Sequence, residues 1–450
     1  MASEIQAAEA AEAVLPDGPV LAASAPARAA VSTSYRTYTL ILLTLVYVVN
    51  YLDRQIVAIL LPQIQREFTL SDAQLGFLSG TAFAVIYAVL GVPLAVIADR
   101  VNRRNVVVAS LAIFSLMTVL SGYARQFWQL LLARFGTGIG EAGTGPSINS
   151  MIADLYPPER RAAALSFYSA GLNVGLLVAS FGGGWVAQHY GWRNAFLAAG
   201  IPGLLLSIYL LLGVREPVRG AIDNLKDDLP APSLWSVIRG LWSQRAFRWM
   251  AIGTSMSSFG GYAGIFFIPK FLIVSHHMSL VSVSVVLALL AGVPGALGTY
   301  LAGVFADRYG ARDVRWNMYV PIIATFFSAA FAPVFFLTPL TAVALIVGVV
   351  PYMMGATYVG PAFAMTQAMV PLRMRARAIA ILLFILNIIG LGLGPLAVGK
   401  LSDLLKPALG ADSLRYALTA TIFTGLAGAF CYWRASRTLG ADIARGPTLT

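Results

Sequence analysis

Four charged residues stand within apolar stretches of the sequence. Asp53 and Arg54 are adjacent in VVNYLDRQIVAILLP (residues 48–62), and Arg134 and Glu141 stand seven positions apart in RFGTGIGEA (residues 134–142). A charge inside a membrane-spanning helix is costly and is kept where it faces protein, water or a ligand. Carboxylates in such places can carry protons, and arginine can hold an anion through two parallel hydrogen bonds. The four residues therefore predict a site for proton and anion binding.

Each charged type has its own predicted role. We expect Asp53 and Glu141 to hold the exchangeable proton, and Arg54 and Arg134 to bind an anionic headgroup or tune the acids. A nearby arginine favours the ionised carboxylate, so moving it would load or release a proton. The alternative is an ion-pair cluster that only fixes helix packing. Adjacent helical residues point about 100° apart, and the sequence leaves open whether Asp53 or Arg54 faces the transport pathway.

The composition places these charges in a membrane protein. The chain has 450 residues, of which 58% are hydrophobic and 11% charged, and its mean hydropathy is +0.75. A soluble domain carries about 25% charged residues. One cysteine and three histidines offer neither a disulfide framework nor a cluster of soft metal ligands. We expect no metal, no cofactor and no enzymatic activity, and no G-x-x-x-x-G-K-[ST] motif suggests an ATP site.

Apolar runs long enough to cross about 30 Å of hydrocarbon recur along the whole chain. They predict an all-α polytopic membrane protein with twelve transmembrane helices, near residues 38–61, 76–98, 105–123, 128–151, 162–187, 194–214, 248–273, 282–305, 316–336, 340–368, 376–400 and 414–434. The predicted domains are a disordered cytoplasmic tail, a six-helix bundle, a cytoplasmic linker, a second six-helix bundle and a cytoplasmic tail, at 1–34, 35–214, 215–247, 248–437 and 438–450.

The charge distribution predicts the orientation of these helices. With the N-terminus inside, most of the 31 Lys and Arg residues fall in cytoplasmic segments, as the positive-inside rule requires. Both termini are then cytoplasmic, and the net charge of +11 is explained without a nucleic-acid partner. Within the linker, SLWSVIRGLWSQRAFR (residues 233–248) has the pattern of an amphipathic helix. It fits a helix lying on the membrane surface and a helix packed on the protein equally well.

An internal repeat relates the two halves. The pattern V-x-A-D-R-x-x-x-R occurs at 96–104 and again at 304–312. Arg161 and Asn173 in the first half correspond to Arg375 and Asn387 in the second. Two copies of a six-helix unit joined by a cytoplasmic connection predict two bundles that rock about a central cavity.

These motifs resemble those of the major facilitator superfamily. D-R-x-x-x-R after the second helix is similar to its signature loop, and RFGTGIGEA is similar to the R-x-x-x-G-x-G motif of proton-coupled members. NYLDRQ, LPQIQREF, GEAGTGPSINSMIADLYPPERR and GVREPVRGA together resemble the spinster branch. Animal spinster proteins are associated with export of sphingosine 1-phosphate and lysophospholipid, which implies an amphipathic anionic lipid. Bacterial anion symporters share Tyr-x-Asp-Arg, which keeps a small organic anion as the alternative substrate.

The resemblance also implies a conformational latch at the cytoplasmic side. Its acid would approach the N-terminus of the eleventh helix, its arginines would reach the end of the fourth helix, and it would stabilise the outward-open state. The residues it implies are Asp99, Arg100, Arg104, Asp154 and the second copy, Asp307 and Arg308.

The second half offers aromatic rather than charged candidates. GGYAGIFFIPKF (260–271) and PYMMGATYVGPAF (351–363) are Gly- and Pro-interrupted spans of the kind that bend around transport sites. Tyr262, Phe266 and Tyr358 are expected to line the substrate site, with plain helix packing as the alternative.

Together these patterns predict a proton-coupled secondary transporter working by rocker-switch alternating access. Its substrate is expected to be an amphipathic anionic lipid or a related organic anion. A transporter-like receptor that moves no solute is the competing class, and the intact charged helices favour transport. We expect a monomer surrounded by membrane lipids in a bacterial inner membrane.

Overall fold

The computed structural model describes residues 32–87, 89–90, 101–218, 233–371 and 374–445, and these residues form helices and no strand. The predicted tail 1–34 therefore lies almost wholly outside the described residues. The helices are α1 (Thr33–Phe68), α2 (Asp72–Gly76, continued by a π-helical turn Phe77–Thr81), α3 (Arg103–Gly122), α4 (Phe127–Ala142), α5 (Thr144–Leu155), α6 (Pro158–Val178, with a π-helical turn Ala179–Gly183), α7 (Gly184–Gly213), α8 (Leu234–Ser243), α9 (Arg245–His276), α10 (Leu280–Gly310), α11 (Trp316–Leu337), α12 (Thr341–Met354), α13 (Val359–Ala368), α14 (Arg375–Leu386, with a π-helical turn Asn387–Leu393), α15 (Gly394–Leu409) and α16 (Ser413–Arg445).

Many of these helices are long and apolar enough to cross a membrane. The described residues contain eight such helical segments, and two of them, Ala163–Gly213 and Arg377–Arg445, each hold two of the predicted spans. The polytopic all-α class is confirmed, and the count of twelve stays a prediction. The last helix runs to Arg445, beyond the predicted bundle boundary at 437.

A glycine separates the predicted fifth and sixth spans. Gly191 interrupts α7 with φ 83° and ψ 163°, a conformation that glycine adopts without a steric penalty. The break lies between the predicted spans at 162–187 and 194–214. Gly191 therefore allows the chain to turn between two helical segments that follow each other directly in the sequence.

The helices pack as two halves. In the first, α3 packs against α4 and α7, and α1 packs against α6; in the second, α16 packs against α9 and α11. The halves meet where α2 contacts α15, α1 contacts α9, and α10 contacts the π-helical turn after α6. One cluster of buried apolar side chains contains residues of both halves, and each half also has a cluster of its own.

The linker helix α8 has one buried face, and its location on the membrane surface stays a prediction. Val237 and Leu241 are buried among apolar residues of the second half. Trp235 and Trp242 are exposed on the same helix. One face of α8 therefore packs on the protein, and of the two exposed tryptophans Trp242 still lies beside that core, with its ring centroid 6.3 Å from that of Phe247.

Candidate functional site

The charged pair of α1 divides between two sides of its helix. The side chain of Asp53 is only 1% exposed, whereas that of Arg54 is 22% exposed. This difference follows from the turn of about 100° between successive helical residues. Asp53 points into the first bundle, and Arg54 is the more accessible of the two.

Each carboxylate oxygen of Asp53 accepts a hydrogen bond from a different helix. Arg134 of α4 donates from Nη1 to Oδ2 at 2.8 Å. Thr118 of α3 donates from Oγ1 to Oδ1 at 2.9 Å. Both oxygens of this buried acid are therefore hydrogen-bonded, as a carboxylate in an apolar bundle requires.

Arg54 forms a second ion pair within the same site. Its Nη2 lies 2.5 Å from Oε1 of Glu141, whose side chain is 7% exposed. Three rings surround the guanidinium, with centroids 4.6 Å away for Phe83, 5.5 Å for Tyr51 and 5.7 Å for Tyr87. Aromatic rings at these distances attract a cation through their negative faces, so Arg54 is held by a carboxylate and an aromatic cage together.

The second ion pair has unused hydrogen-bonding capacity. Oε2 of Glu141 and Nε of Arg54 are buried and have no hydrogen-bond partner among the described residues. Asn50, one turn before Arg54, donates to Thr144 at 3.1 Å, and its Oδ1 is also buried without such a partner. The Arg54–Glu141 side of the site can therefore form further hydrogen bonds, donated by Arg54 Nε or accepted by Glu141 Oε2 and Asn50 Oδ1, and Oε2 can also take a proton.

The sequence prediction that these four charges lie together agrees with the geometry. They form two pairs, Asp53 with Arg134 and Arg54 with Glu141. Both pairs join α1 to α4. The roles predicted for the four residues, proton coupling and anion binding, are a separate matter and remain predictions.

The three aromatic candidates of the second half differ in their surroundings. Tyr262 is partly buried and packs against the apolar cluster that contains residues of both halves. Tyr358 is also partly buried and packs against the cluster of the second half. Phe266 is only 5% exposed and belongs to the apolar core, which leaves little of its ring for a ligand in this conformation.

The implied latch is only partly within the structure. Asp99 and Arg100 lie outside the described residues. Asp307 and Arg308 are exposed, and neither side chain forms an ion pair with another described residue. The arrangement shown by the structure involves a different arginine.

Arg103 occupies the position expected for Arg104. Its guanidinium is 3% exposed and contacts Asp154 at 2.5 Å and Glu216 at 2.7 Å. Arg104 instead donates its backbone N–H to Glu216, and its side chain bonds to Asn105 and to two carbonyls at the end of α7. Among the described residues Asp154 pairs with Arg103, because Arg103 begins α3 on the side that faces the end of α5, and the latch predicted from Arg100 and Arg104 stays a prediction. Glu216 within GVREP was the sequence signal for this network.

A second buried network joins the two halves at the opposite end. Asp72 forms an ion pair with Lys270 of α9 and accepts hydrogen bonds from Ser402 of α15 at 2.7 Å and from Gln65 at 2.8 Å. Asp403 of α15 accepts the backbone N–H groups of Asp72 and Ala73 at 2.9 and 2.8 Å. The sequence gives no sign of this network, because Asp72 and Lys270 are 198 positions apart.

Small residues allow the backbones to approach at this contact. A Cβ added to Gly399 would overlap the backbone carbonyl of Asp72, and one added to Gly76 would overlap that of Pro395. Among the described residues no group of three His, Cys, Asp or Glu side chains lies close enough to hold a metal ion.

Comparison with known proteins identifies the family of this architecture. The family model described as Major Facilitator Superfamily matches residues 43–395. An MFS-type efflux pump of Mycolicibacterium smegmatis is 34% identical over 404 residues, which cover 89% of this chain and 92% of that protein. A probable L-galactonate transporter of Escherichia coli is 27% identical over 315 residues, covering 66% and 68% of the two chains.

A solved structure and vertebrate relatives define the branch. The crystal structure of a bacterial homolog of the human lysosomal transporter Spinster, in an inward-facing and unoccupied conformation, is 31% identical with a TM-score of 0.83, covering 92% of this chain and 99% of that one. Vertebrate spinster homologs match at lower identity. The chain therefore belongs to the major facilitator superfamily and to its spinster-like branch.

Proposed function

We propose that this transporter couples an amphipathic organic anion to protons, with the Arg54–Glu141 pair as the point of coupling. The observation that carries the proposal is the accessibility of Arg54. Its side chain is 22% exposed, whereas those of Asp53, Arg134 and Glu141 are between 1% and 7% exposed. Arg54 is thus the cation that an entering anion meets first.

Competition for Arg54 supplies the coupling. An anion that binds the guanidinium replaces the Glu141 carboxylate, which then stands buried without its cation. A buried carboxylate that loses its positive partner binds a proton more readily. Anion and proton are therefore loaded together, and Asp53 with Arg134 forms a second acid–arginine pair that can exchange its proton during rocking.

The surroundings of Arg54 support an amphipathic substrate. The rings of Tyr51, Phe83 and Tyr87 enclose the guanidinium, and the second half contributes the partly buried Tyr262 and Tyr358. An anionic headgroup at Arg54 and an apolar tail along these rings fit a lysophospholipid or a sphingosine-phosphate-like lipid. The resemblance of the sequence to the spinster branch, whose animal members are associated with lysophospholipid export, implies the same substrate class.

A small sugar acid is the second candidate. The similarity to the probable L-galactonate transporter favours it, and a carboxylate would bind the same guanidinium through two parallel hydrogen bonds. A hydrophilic acid would use the free polar atoms of Asn50 and Glu141 rather than the aromatic surface.

The rocking of two bundles is proposed as the transport cycle. The networks at Asp72 and at Arg103 lie at opposite ends, and only the former joins the two halves among the described residues. Under the predicted topology the Asp72 end is the outer one, so this conformation opens inward.

The test is transport into proteoliposomes under an imposed pH gradient, with a lysophospholipid and galactonate compared as substrates. We expect Asp53→Asn and Glu141→Gln to abolish accumulation, and Arg54→Lys to weaken binding of the anion because lysine lacks the planar fork. Glu67→Gln is the matched control, because Glu67 pairs with Arg193 near the end of α1, away from the site. Normal accumulation by both acid variants would refute the coupling.

A further inference from the structure

Thr118 of α3 has two acceptors within hydrogen-bond distance of its hydroxyl, which carries one hydrogen. Its Oγ1 lies 2.9 Å from Oδ1 of Asp53 and 3.0 Å from the backbone carbonyl of Phe114. Both oxygens are acceptors when Asp53 is ionised, and a hydroxyl has one proton and two lone pairs. Thr118 can therefore donate to only one of them at a time. Its side chain is buried, at 1% exposure.

The two acceptors match the two protonation states of Asp53. When Asp53 is ionised, Thr118 donates to Oδ1. When Asp53 is protonated on Oδ1, the acid donates to Thr118 Oγ1, and Thr118 donates to the Phe114 carbonyl. Every hydrogen is used in both states, so protonation leaves no buried donor without an acceptor, which would be costly.

The opposite oxygen is unsuited to the proton. Oδ2 of Asp53 accepts from the Arg134 guanidinium at 2.8 Å, and arginine has donors only. A proton on Oδ2 would face that cation. The charged groups around Asp53 are Arg134 and Glu141 on α4 and Arg54 on its own helix, and α3 contributes the neutral hydroxyl of Thr118.

We propose that Thr118 is a positioning residue for proton coupling: it selects Oδ1 of Asp53 as the oxygen that takes the proton and sets the pH at which it does so. This inference rests on the proposed function, in which Asp53 carries a proton. The direction of the effect follows from hydrogen-bond strength, since a bond to a charged acceptor is stronger than a neutral one. Removing the hydroxyl weakens the ionised state more than the protonated state.

The test is an infrared pH titration of the purified protein, which needs no substrate. The carbonyl band of protonated Asp53 is identified as the band that Asp53→Asn removes. We expect Thr118→Val to move the midpoint of that band upward by roughly 0.5–1 pH unit, and Thr118→Ser to restore it. Thr118→Ala serves the same purpose if the valine variant does not fold.

Thr366→Val is the matched control. Thr366 is equally buried and donates to the carbonyl four residues earlier, Ala362, at 2.8 Å, and no acid accepts from it among the described residues. We expect the Asp53 carbonyl band of Thr366→Val to have the same midpoint pH as in the unmodified protein. If the Asp53 band keeps its midpoint in both Thr118→Val and Thr118→Ala, the role of Thr118 is overturned. The proton site at Asp53 would still stand, because the band disappears in Asp53→Asn. No band assignable to Asp53 at any pH would overturn the proposed proton site itself.

Discussion

Two adjacent residues on α1 act in separate ion pairs, and this separation gives the site its asymmetry. Asp53 is enclosed by α3 and α4, with both oxygens hydrogen-bonded. Arg54 reaches Glu141 on the accessible side and lies among aromatic rings. The enclosed pair is suited to holding a proton, and the accessible pair is suited to meeting an anion.

At the same scale, Arg103 is expected to be the stabilising arginine at the start of α3. It is 3% exposed and satisfies Asp154, Glu216, Ser150 and the carbonyl of Pro217. Removing one partner of a buried ionic network leaves uncompensated charge and costs about 3–5 kcal/mol. Arg103→Ala should therefore lower the unfolding temperature strongly in detergent.

Arg104→Ala provides the comparison for this change. The Arg104 side chain is intermediate in exposure, and its partners among the described residues are two backbone carbonyls and Asn105. We expect a much smaller decrease in unfolding temperature, as for partly exposed side chains in general. Equal losses from the two variants would show that the network carries no special stability.

The residues of the site were predictable from the sequence to different degrees. Asp53, Arg54, Arg134 and Glu141 stand out because charge is rare in apolar spans. Thr118 has no such signal, because threonine is common in membrane helices and its acceptor lies on another helix. The choice of Arg103 over Arg104 depends on where α3 begins, and a shift of one residue turns a side chain by about 100°.

Among the elements, α8 offers a test of the packing of the linker. Leu241 is fully buried against the second bundle, whereas Leu234 on the same helix is 39% exposed. Leu241→Ala creates a cavity and should cost about 2–5 kcal/mol. Leu234→Ala should change the stability by only about 0.5 kcal/mol. Thermal unfolding of the two variants distinguishes a packed helix from one held by lipid alone, for which the two losses would be alike.

The contact between α2 and α15 depends on glycine. Gly399 approaches the backbone of Asp72 so closely that no Cβ fits without movement of one helix. Gly399→Ala should therefore push the helices apart and favour the conformation open at that end. Spin labels at Arg66→Cys and Ala411→Cys, with Cys431→Ser removing the native thiol, would report a longer distance.

Gly292→Ala is the control for that substitution. Apart from the chain neighbours and nearby backbone of its own helix, no atom lies within 4 Å of a Cβ placed on Gly292. The added methyl group therefore meets no other part of the protein. The label distance should stay as in the parent. An unchanged distance in Gly399→Ala as well would show that the glycine contact does not hold this end closed.

The helical elements were readily predicted from hydrophobic runs, but their interruptions and contacts were not. The break at Gly191 agrees with the predicted boundary between two spans, because glycine tolerates a positive φ. The approach of α2 to α15 involves residues more than 300 positions apart, and no local pattern reports it. The pairing of Asp72 with Lys270 spans 198 positions and is likewise absent from any local pattern.

In the whole molecule, the Asp72 network joins the two halves at one end and closes that end in the proposed cycle. Burial by itself raises the pKa of the Asp72 carboxyl, but the Lys270 ammonium and hydrogen bonds from Ser402 and Gln65 outweigh it and hold that pKa below its usual value. A carboxyl with a lowered pKa contributes stability above its ordinary pKa, about 3.9, and loses it only as the pH falls through the lowered value. The closure is therefore expected to be insensitive to pH between 5 and 8.

The label pair at Arg66 and Ala411 measures this closure in a background of Asp53→Asn and Glu141→Gln, where the central acids cannot titrate. We expect one distance from pH 8 to pH 5, and a longer one when Asp72→Asn removes the charge that binds Lys270. Arg193→Gln breaks an ion pair with Glu67 at the same end but within one bundle, so it should leave the distance unchanged. If the distance lengthens on acidification alone, Asp72 titrates in the working range, and the pH response of transport cannot be assigned to the central cluster. If the distance does not change on acidification, proton sensing belongs to the acids of the site. The Asp72 network then acts as a gate that responds to their state through the movement of the bundles.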